Sequence, residues 1–438
     1  MEEKVTEKIG YRQILKQKEY CKIIFANLIN RFGDSIDAIA FSWLVYQVTQ
    51  SASWSAIIFA LNTLPSILLQ PLAGAAVERM NKKKLMVLSD LIRGIVVAVL
   101  AFIYVTGMVN PWILAVFTLV ISSVEAFCLP ASTAILPMLL EKKYYEFGMS
   151  LNSIGTTVMQ LIGTGMAGVI IGALGVPAAI IIDTVTFLAS AFVKGTIRVH
   201  EKLEAVADNN AVRRYFTDLK EGFIYMKHKR VFLNIIIMAL FINAMLVPLN
   251  SFQTPLVVEV LHQDSSLLSV IGCSEVIAMG LGAFVYPYIS KKFKVRTLFC
   301  INGFILSAGY YGMVLGARFF QNTLAVYITT AVAAFLLSGS ACIMSSCVSV
   351  QFMKAVEPQY LARESALLGA GAMAAMPITS FFLGILVKYI PVRTMIIVCS
   401  LLCALIFLGI MICKMKLEED EGDKIEGQQM EIKYETEN

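Results

Sequence analysis

Three charged residues lie inside the first long apolar stretch of the chain. Arg31, Asp34 and Asp37 are spaced three residues apart, so on a helix their side chains share one face, within an arc of roughly 120°. An ionisable side chain at membrane depth costs about 2.5–3.5 kcal/mol on insertion scales, and it usually faces the protein interior and serves a function. A carboxyl that alternates between an apolar site and the neighbourhood of an arginine takes up and releases a proton.

The other acids within apolar stretches are candidates for the same chemistry. They are Asp90, Glu125, Asp183 and Glu275, and Arg93 follows Asp90 by one helical turn. We expect Asp34 or Glu125 to carry a proton, with Arg31 as a partner whose distance changes, and Asp37 as the next candidate. The alternative is a static ion pair between Asp34 and Arg31. Asp90 and Arg93 are expected to form a static pair or a gate.

The elements that position these residues are membrane-spanning helices. The 438-residue chain is 58% hydrophobic and 15% charged, with a mean hydropathy of +0.73, whereas soluble domains are about 45–50% apolar and about 25% charged. Apolar stretches of about 20 residues, long enough to cross a hydrocarbon core of about 30 Å, recur along the chain. The sequence therefore predicts an all-α polytopic membrane protein. Its twelve spans are 22–47, 54–77, 84–107, 111–134, 147–171, 177–195, 231–255, 267–290, 296–316, 323–346, 366–387 and 392–413.

The connections between spans predict the topology. Most of the 36 basic residues fall in alternate connections, which places both termini in the cytoplasm. We expect a cytoplasmic segment (1–21), a six-helix lobe (22–195), a central cytoplasmic loop (196–230), a second lobe (231–413) and a disordered tail (414–438). Within the loop, Arg213–Met226 has the apolar spacing of an amphipathic surface helix. Two six-helix halves are typical of a transporter with its site between the lobes.

A charged motif connects the second and third spans. Its members are Gly74, Glu78, Arg79, Lys82 and Lys83. Such a cluster at the inner mouth of two helices either locks them to an opposing lobe or sets their topology by positive charge. The spacing resembles the signature loop of the major facilitator superfamily, with Glu78 where the family usually has Asp and Asn81 where it usually has Gly.

The resemblance extends along the chain to one branch of that superfamily. It rests on Gly33-Asp34, Ser89-Asp90-Leu91-Ile92-Arg93-Gly94, Phe127 to Ala131, Leu151-Asn152-Ser153, Ile182-Asp183 and Asn243 to Pro255. That branch contains macrolide-efflux transporters and is similar to siderophore exporters and lysophospholipid transporters. The resemblance implies a major facilitator fold, a pocket lined by spans 1, 4, 7 and 10, and export of an amphiphilic, macrolide-like drug or antibiotic in exchange for protons. Gly163 to Gly168 lacks the proline of the antiporter motif, although its glycines permit close helix contact.

Other classes of function find little support in the residues. The chain has no Gly-x-x-x-x-Gly-Lys-Ser/Thr phosphate-binding loop, so an ion gradient is the expected energy source and no cofactor is expected. No nucleophile–base pair indicates an enzyme, and no cluster of metal ligands is predicted. The expected partners are an amphiphilic substrate, protons and the lipid bilayer of the cell membrane, without nucleic acid, and the chain is expected to be a monomer. The alternatives are the same fold exporting a siderophore, lysophospholipid or other endogenous amphiphile, and a membrane protein that does not pump.

Overall fold

The computed structural model describes residues 11–77, 80–199, 230–319, 322–355 and 361–412. Within those ranges the secondary structure is helical, without a β-strand, and twelve helices are long. We number them α1 (Lys18–Thr49), α2 (Ala52–Val77), α3 (Lys82–Val105), α4 (Pro111–Leu139), α5 (Tyr145–Leu174), α6 (Val176–Gly195), α7 (Arg230–Pro255), α8 (Ser265–Ile289), α9 (Val295–Leu315), α10 (Thr323–Ala355), α11 (Leu361–Leu386) and α12 (Val392–Ile412). They confirm the twelve helices and the all-α class predicted from the sequence.

Length and composition suit most of these helices to a membrane. Among the described residues, ten helices are long and apolar enough to cross a bilayer. The other two are α1, which carries Arg31, Asp34 and Asp37 in its central part, and α11, in which the described residues Gly371–Leu386 form a shorter apolar stretch. Large apolar side chains such as Phe102, Phe192 and Phe284 are more than two-thirds exposed, as expected where lipid is the solvent.

Short polar signals begin and end several helices. The Asn81 side chain caps α3 by accepting a hydrogen bond from the Lys84 backbone N–H at 2.7 Å, so the residue that replaces the usual glycine serves as an N-cap. Asn110 caps α4 in the same way, ahead of Pro111. Gly175, at φ +80°, makes the tight connection between α5 and α6. The α-helical part of α7 ends at Pro255, and a π-helical turn, Leu256–Val260, continues it.

The chain divides into two compact units. The described residues of the first unit lie within Met1–Trp54, Leu61–Asn209 and Gln263–Cys273. Those of the second unit lie within Ser55–Ala60, Asn210–His262 and Ser274–Asn438. The first unit thus holds α1 and α3 to α6, most of α2 and the beginning of α8. The second holds α7, the rest of α8, α9 to α12 and the beginning of α2.

In the first unit, α6 packs along α1 and α3, and α1 packs along α5. A buried apolar cluster closes one end of this group; it contains Ile14, Tyr20, Ile23, Val77, Met86, Ile135, Leu136, Leu140, Tyr144 and Ile197. In the second unit, α9 packs between α10 and α12. There the hydroxyls of Ser307 and Ser400 donate to each other's backbone carbonyls, both at 2.8 Å.

A polar contact ties the start of α1 to the residues that follow α6. The Glu19 carboxylate, in the first turn of α1 and ahead of its apolar part, accepts hydrogen bonds from Lys22 Nζ at 2.9 Å and the Arg198 backbone N–H at 2.7 Å. Lys22 Nζ also donates to the Thr196 carbonyl at 3.1 Å. The Lys22 hydrogen bond, followed by that from Arg198, lowers the pKa of Glu19 from its ordinary value of 4.5.

Glu19→Gln is expected to remove a small, pH-dependent stabilisation. Because the folded-state pKa lies below 4.5, the carboxylate contributes stability above the unfolded-state pKa and loses it as the pH falls through the folded-state value. The contact is one-third exposed, so the loss should stay within about 1 kcal/mol. Thermal unfolding in detergent at pH 7 and at pH 4 measures it. If the variant is less stable than the parent protein by the same amount at both pH values, the stabilisation does not come from the lowered pKa of Glu19.

Several sequence predictions lie outside the described residues. These are the amphipathic helix at Arg213–Met226, the motif residues Glu78 and Arg79, and the tail 414–438. Of the other motif residues, Gly74 lies in the last turns of α2, and Lys82 and Lys83 begin α3. The motif's gating role stays a prediction.

Candidate functional site

Three helices of the first unit place charged residues on facing surfaces. On α6, Asp183, Phe187, Ser190 and Lys194 follow one another at intervals of four, three and four residues, so they line one face. On α3, Asp90 and Arg93 are one turn apart. On α1, Asn30, Asp34 and Asp37 share a face by the same spacing. Packing of α6 against both α1 and α3 brings these three faces together.

Arg93 is the central cation of the group. Its Nη2 donates to Asp34 Oδ1 at 3.0 Å, and its guanidinium carbon lies 4.2 Å from the centre of the Phe187 ring, a cation–π contact. The Arg93 side chain is 10% exposed, whereas that of Asp34 is 30% exposed. Asp34 therefore lies at the open edge of the ion pair. The structure pairs Asp34 with Arg93, and not with Arg31 as the spacing on α1 suggests.

A second ion pair is fully enclosed. Asp90, at 0% exposure, accepts hydrogen bonds on Oδ2 from Lys194 Nζ and from Ser190 Oγ, both at 2.7 Å. Its Oδ1 accepts from Asn30 Nδ2 at 3.1 Å. Lys194 is 3% exposed. Asp90 thus pairs with Lys194 of α6 rather than with Arg93, and both of its carboxylate oxygens are satisfied, which suits a buried charge.

Three further carboxyls surround Arg93 without a cation of their own. Asp183 is 1% exposed, and its Oδ1 lies 3.5 Å from Thr186 Oγ1. It interacts electrostatically with Asp37 and Asp34, and Glu125 interacts electrostatically with Arg93. Among the described residues, no Lys or Arg nitrogen lies within 4 Å of the Asp37, Glu125 or Asp183 carboxylates. The group therefore contains more acids than bases.

Gly33 allows α1 and α6 to approach at this point. A Cβ atom there would lie against Thr186 Oγ1, and 2.8 Å from both Thr186 Cβ and Asp183 Oδ1. No side chain larger than hydrogen fits in this space without displacing α6. The glycine beside Asp34 therefore sets the separation of the two helices that carry the acids.

Gly33→Ala is expected to lower the free energy of unfolding by about 1–3 kcal/mol, because the new methyl group overpacks the contact with Thr186. The matched control is Gly172→Ala on α5, where a Cβ atom meets nothing within 4 Å and should stabilise the helix slightly. Thermal unfolding of both variants in the same detergent measures the difference. Equal midpoints for the two variants would contradict the close contact.

Arg31 points to a different neighbour. Its Nη2 donates to Gln160 Oε1 of α5 at 2.5 Å, and one turn earlier Asn27 Nδ2 donates to Asn152 Oδ1 at 3.2 Å. The α5 glycines support this interface, since a Cβ at Gly163 would lie 2.7 Å from the Phe32 carbonyl oxygen. The close helix contact predicted for Gly163 to Gly168 is confirmed at this residue.

Glu275 belongs to the second compact unit, whereas the charged group around Arg93 belongs to the first. Its Oε1 accepts a hydrogen bond from Gln253 Nε2 at 3.1 Å, which joins α8 to α7. The first-unit group thus contains Asp34, Asp37, Asp90, Arg93, Glu125 and Asp183 of the predicted residues. It adds Asn30, Ser190 and Lys194, which the sequence reasoning did not select. Lys194 could have been found from its position eleven residues after Asp183, on the same helix face.

Comparison with known sequences assigns the chain to a family. A sequence model of the transmembrane secretion effectors, a major facilitator family, matches residues 13–437. The chain belongs to this family of major facilitator transporters.

The transporter has relatives in several bacteria. It is 25% identical over 381 residues to the uncharacterized MFS-type transporter YkuC of Bacillus subtilis (strain 168), covering 84% of this chain and 85% of YkuC. It is 33% identical over 162 residues to the multidrug efflux pump Tap of Mycolicibacterium fortuitum, which covers 35% of this chain and 39% of Tap. A Tap of Mycobacterium tuberculosis is 25% identical over 241 residues, or 53% of this chain and 57% of that pump.

Solved structures share the transporter's fold. The nucleoside transporter NupG superimposes with a TM-score of 0.71 at 12% identity, covering 90% of this chain and 99% of NupG. A bacterial homologue of the iron transporter ferroportin, in an inward-facing state, superimposes with a TM-score of 0.63 at 12% identity over 90% of this chain and 98% of that one. At such identities the likeness concerns the fold alone, so the substrate has to be argued from the site.

Proposed function

We propose that this transporter exports an amphiphilic drug or antibiotic across the cell membrane in exchange for protons. Two observations support export: the family is one of secretion effectors, and the partial relatives from mycobacteria carry the name multidrug efflux pump. The macrolide-like substrate expected from the sequence resemblance is the first compound to test. Alternating access of the two units would carry the substrate outward.

The excess of acids around Arg93 carries the proposal of proton coupling. Asp34, Asp37 and Asp183 interact with one another, and the Arg93 guanidinium interacts with all three. If these three acids and Glu125 were all ionised, their negative charge would exceed the single positive charge of Arg93, and uncompensated charge is costly in a low-dielectric site. Protons bound by these acids would neutralise the group. In this proposal the acids around Arg93 form a proton-binding site, and the net charge of the site changes when water gains or loses access to it.

Asp34 is the proposed point of proton exchange. It is the most exposed member of the Arg93 ion pair, so a proton from water reaches it before it reaches Asp183. When protonated, Asp34 holds Arg93 less strongly, and Arg93 turns to Asp183 or Glu125. This exchange of partners would link proton uptake to a movement of α1 relative to α3.

We further propose that both termini lie in the cytoplasm. The distribution of basic residues supports this orientation. The edge-to-face pair of Trp54 and Trp112, whose ring centroids are 5.2 Å apart, joins the beginnings of α2 and α4 and is the kind of aromatic pair found at a membrane–water interface. Both helices would begin at the outer surface.

The experiment that tests the function is transport in proteoliposomes of defined orientation. A panel of macrolides, other amphiphilic drugs, a siderophore and a lysophospholipid is offered with and without an imposed proton gradient. Accumulation that requires the gradient and collapses with a protonophore is expected for at least one compound. Accumulation that does not respond to the gradient for any compound would contradict proton-driven export. If only the siderophore or the lysophospholipid is transported, the substrate is an endogenous amphiphile and not a drug.

A further inference from the structure

Arg31 is a membrane-depth cation without an acidic partner in the part of the chain that the structure describes. Arg93 and Lys194, the other cations deep in the first unit, each have a carboxylate within 3.0 Å. Arg31 has none within 4 Å among the described residues. Its hydrogen-bond partner is the neutral amide oxygen of Gln160. Among the described residues, no carboxylate is therefore in direct contact with the Arg31 guanidinium.

The surroundings of Arg31 hold it in place. Gln160 Oε1 accepts from one guanidinium nitrogen, and the Asn27–Asn152 hydrogen bond fixes α1 against α5 one turn away. Leu28 packs over Gly155 on the same interface, where a Cβ atom would lie 2.8 Å from Leu28 Cδ2. Arg31 itself is half-buried, unlike the enclosed Lys194. The side chain is thus pre-positioned, with several N–H groups left to donate.

An uncompensated guanidinium inside a membrane protein is costly, and such residues characteristically pair with an anion or face a polar cavity. The planar fork of a guanidinium matches a carboxylate or a phosphate, to which it donates two parallel hydrogen bonds. The Gln160 side chain amide adds a further donor beside it. Apolar neighbours on α1, Leu28 and Phe32, suit the hydrocarbon part of the same molecule.

We propose that Arg31 and Gln160 bind the anionic group, a carboxylate or a phosphate, of an amphiphilic substrate. The transport role of this site rests on the proposed export function, whereas the binding itself does not. The proposal separates two tasks within α1: Arg31 faces α5 and recognises substrate, and Asp34 faces α3 and α6 and exchanges protons. Among the candidate substrates, whether drugs or endogenous amphiphiles, it favours those that carry an anionic group over those that carry a basic amine.

Equilibrium binding to the purified full-length protein in phosphatidylcholine nanodiscs tests the proposal without requiring transport. The probes are dodecyl phosphate and dodecyltrimethylammonium, which share a chain and differ in the sign of the headgroup. Arg31→Gln is expected to weaken binding of dodecyl phosphate by about tenfold to 100-fold, the effect of one lost charge-assisted contact, and to change binding of dodecyltrimethylammonium by less than about twofold. Arg31→Lys should recover part of the loss, because it keeps the charge without the fork.

Gln160→Glu is the second variant, and it does not remove Arg31. It gives Arg31 an internal carboxylate, so dodecyl phosphate should bind as weakly as it does to Arg31→Gln while the unfolding temperature is kept or raised. Lys291→Gln, at an exposed position, is the control for a general loss of positive charge and should leave both probes unaffected. Unchanged dodecyl phosphate binding in both Arg31→Gln and Gln160→Glu, or an equal loss for both probes, would overturn the proposal.

Failure of this proposal and failure of the export function give different results. If proton-driven transport of some compound persists while dodecyl phosphate binding ignores Arg31, the anion site is refuted and the exporter stands. If no compound is ever driven by the proton gradient while dodecyl phosphate binding still depends on Arg31 and Gln160, the exporter is refuted and the anion site stands.

Discussion

Asp34→Asn is expected to abolish proton-driven transport while leaving the protein folded. Asparagine keeps the size of aspartate and its carbonyl oxygen still accepts from Arg93 Nη2, which lies 3.0 Å from Asp34 Oδ1 in the parent protein. It neither binds nor releases a proton between pH 5 and 9. Arg93 retains Asp183 and Glu125 as electrostatic partners, so its charge is not left alone. The variant should therefore lose coupling rather than structure.

The measurement is uptake by proteoliposomes under an imposed proton gradient, compared with downhill exchange without a gradient. Gradient-driven uptake should fall to the level of protein-free liposomes, while binding of the substrate and the unfolding temperature stay close to those of the parent. Asp34→Glu, which keeps a titratable group, should retain part of the uptake. Glu141→Gln is the matched control, since Glu141 is an exposed acid paired with Lys143. Full gradient-driven uptake by Asp34→Asn would remove Asp34 from the proton path.

The number and placement of the helices could be predicted because each is a long apolar run, and hydrophobicity is a property of the local sequence. The structure mainly lengthens the predicted elements: α10 continues to Ala355, beyond the span predicted to end at 346. A helix that leaves the bilayer keeps its internal hydrogen bonds, so it can continue into polar sequence. The apolar stretch in the sequence can therefore end before the helix does. The helix that contains the tenth predicted span therefore extends nine residues beyond it, from 346 to Ala355.

The partners of the charges could not be predicted with the same success. The spacing of Arg31 and Asp34 permits a local pair on α1, yet Asp34 pairs with Arg93 on α3. Which cation Asp34 pairs with depends on how α1 is rotated about its axis relative to α3 and α6. Close contacts between helices, such as that of Gly33 with Thr186, set this rotation. Contacts between helices distant in sequence leave no periodic signal in any one of them.

Lys194 shows a second reason why part of the site was missed. It lies in the last turn of α6, where a lysine reads as one of the positive residues that set topology. Its side chain instead runs back to Asp90 and is buried. The acidic group was found from the sequence because acids are rare in apolar runs. A lysine at a helix end is common, so only its spacing from Asp183 on the same helix face could have indicated Lys194.

Lys194→Met is expected to destabilise the protein by about 3–5 kcal/mol, the usual cost of removing one partner of a buried ion pair. Asp90, at 0% exposure, would keep the hydrogen bonds from Ser190 and Asn30 and lose the cation that balances its charge. Thermal unfolding of the parent and the variant in the same detergent measures the loss. An unchanged unfolding temperature would show that Asp90 and Lys194 do not depend on each other.

The double variant Asp90→Leu/Lys194→Met distinguishes a structural pair from a coupling pair. Replacing both charges by apolar side chains removes the uncompensated carboxylate, so most of the lost stability should return. Both partners are buried, and both carboxylate oxygens of Asp90 are hydrogen-bonded. Asp34 of the other ion pair is 30% exposed. Because water does not reach the buried pair, the double variant should also retain gradient-driven uptake. Recovery of stability without uptake would move Asp90 and Lys194 into the proton path. Recovery of both would confine proton exchange to the acids around Arg93, because the enclosed pair then serves only to hold α3 against α6.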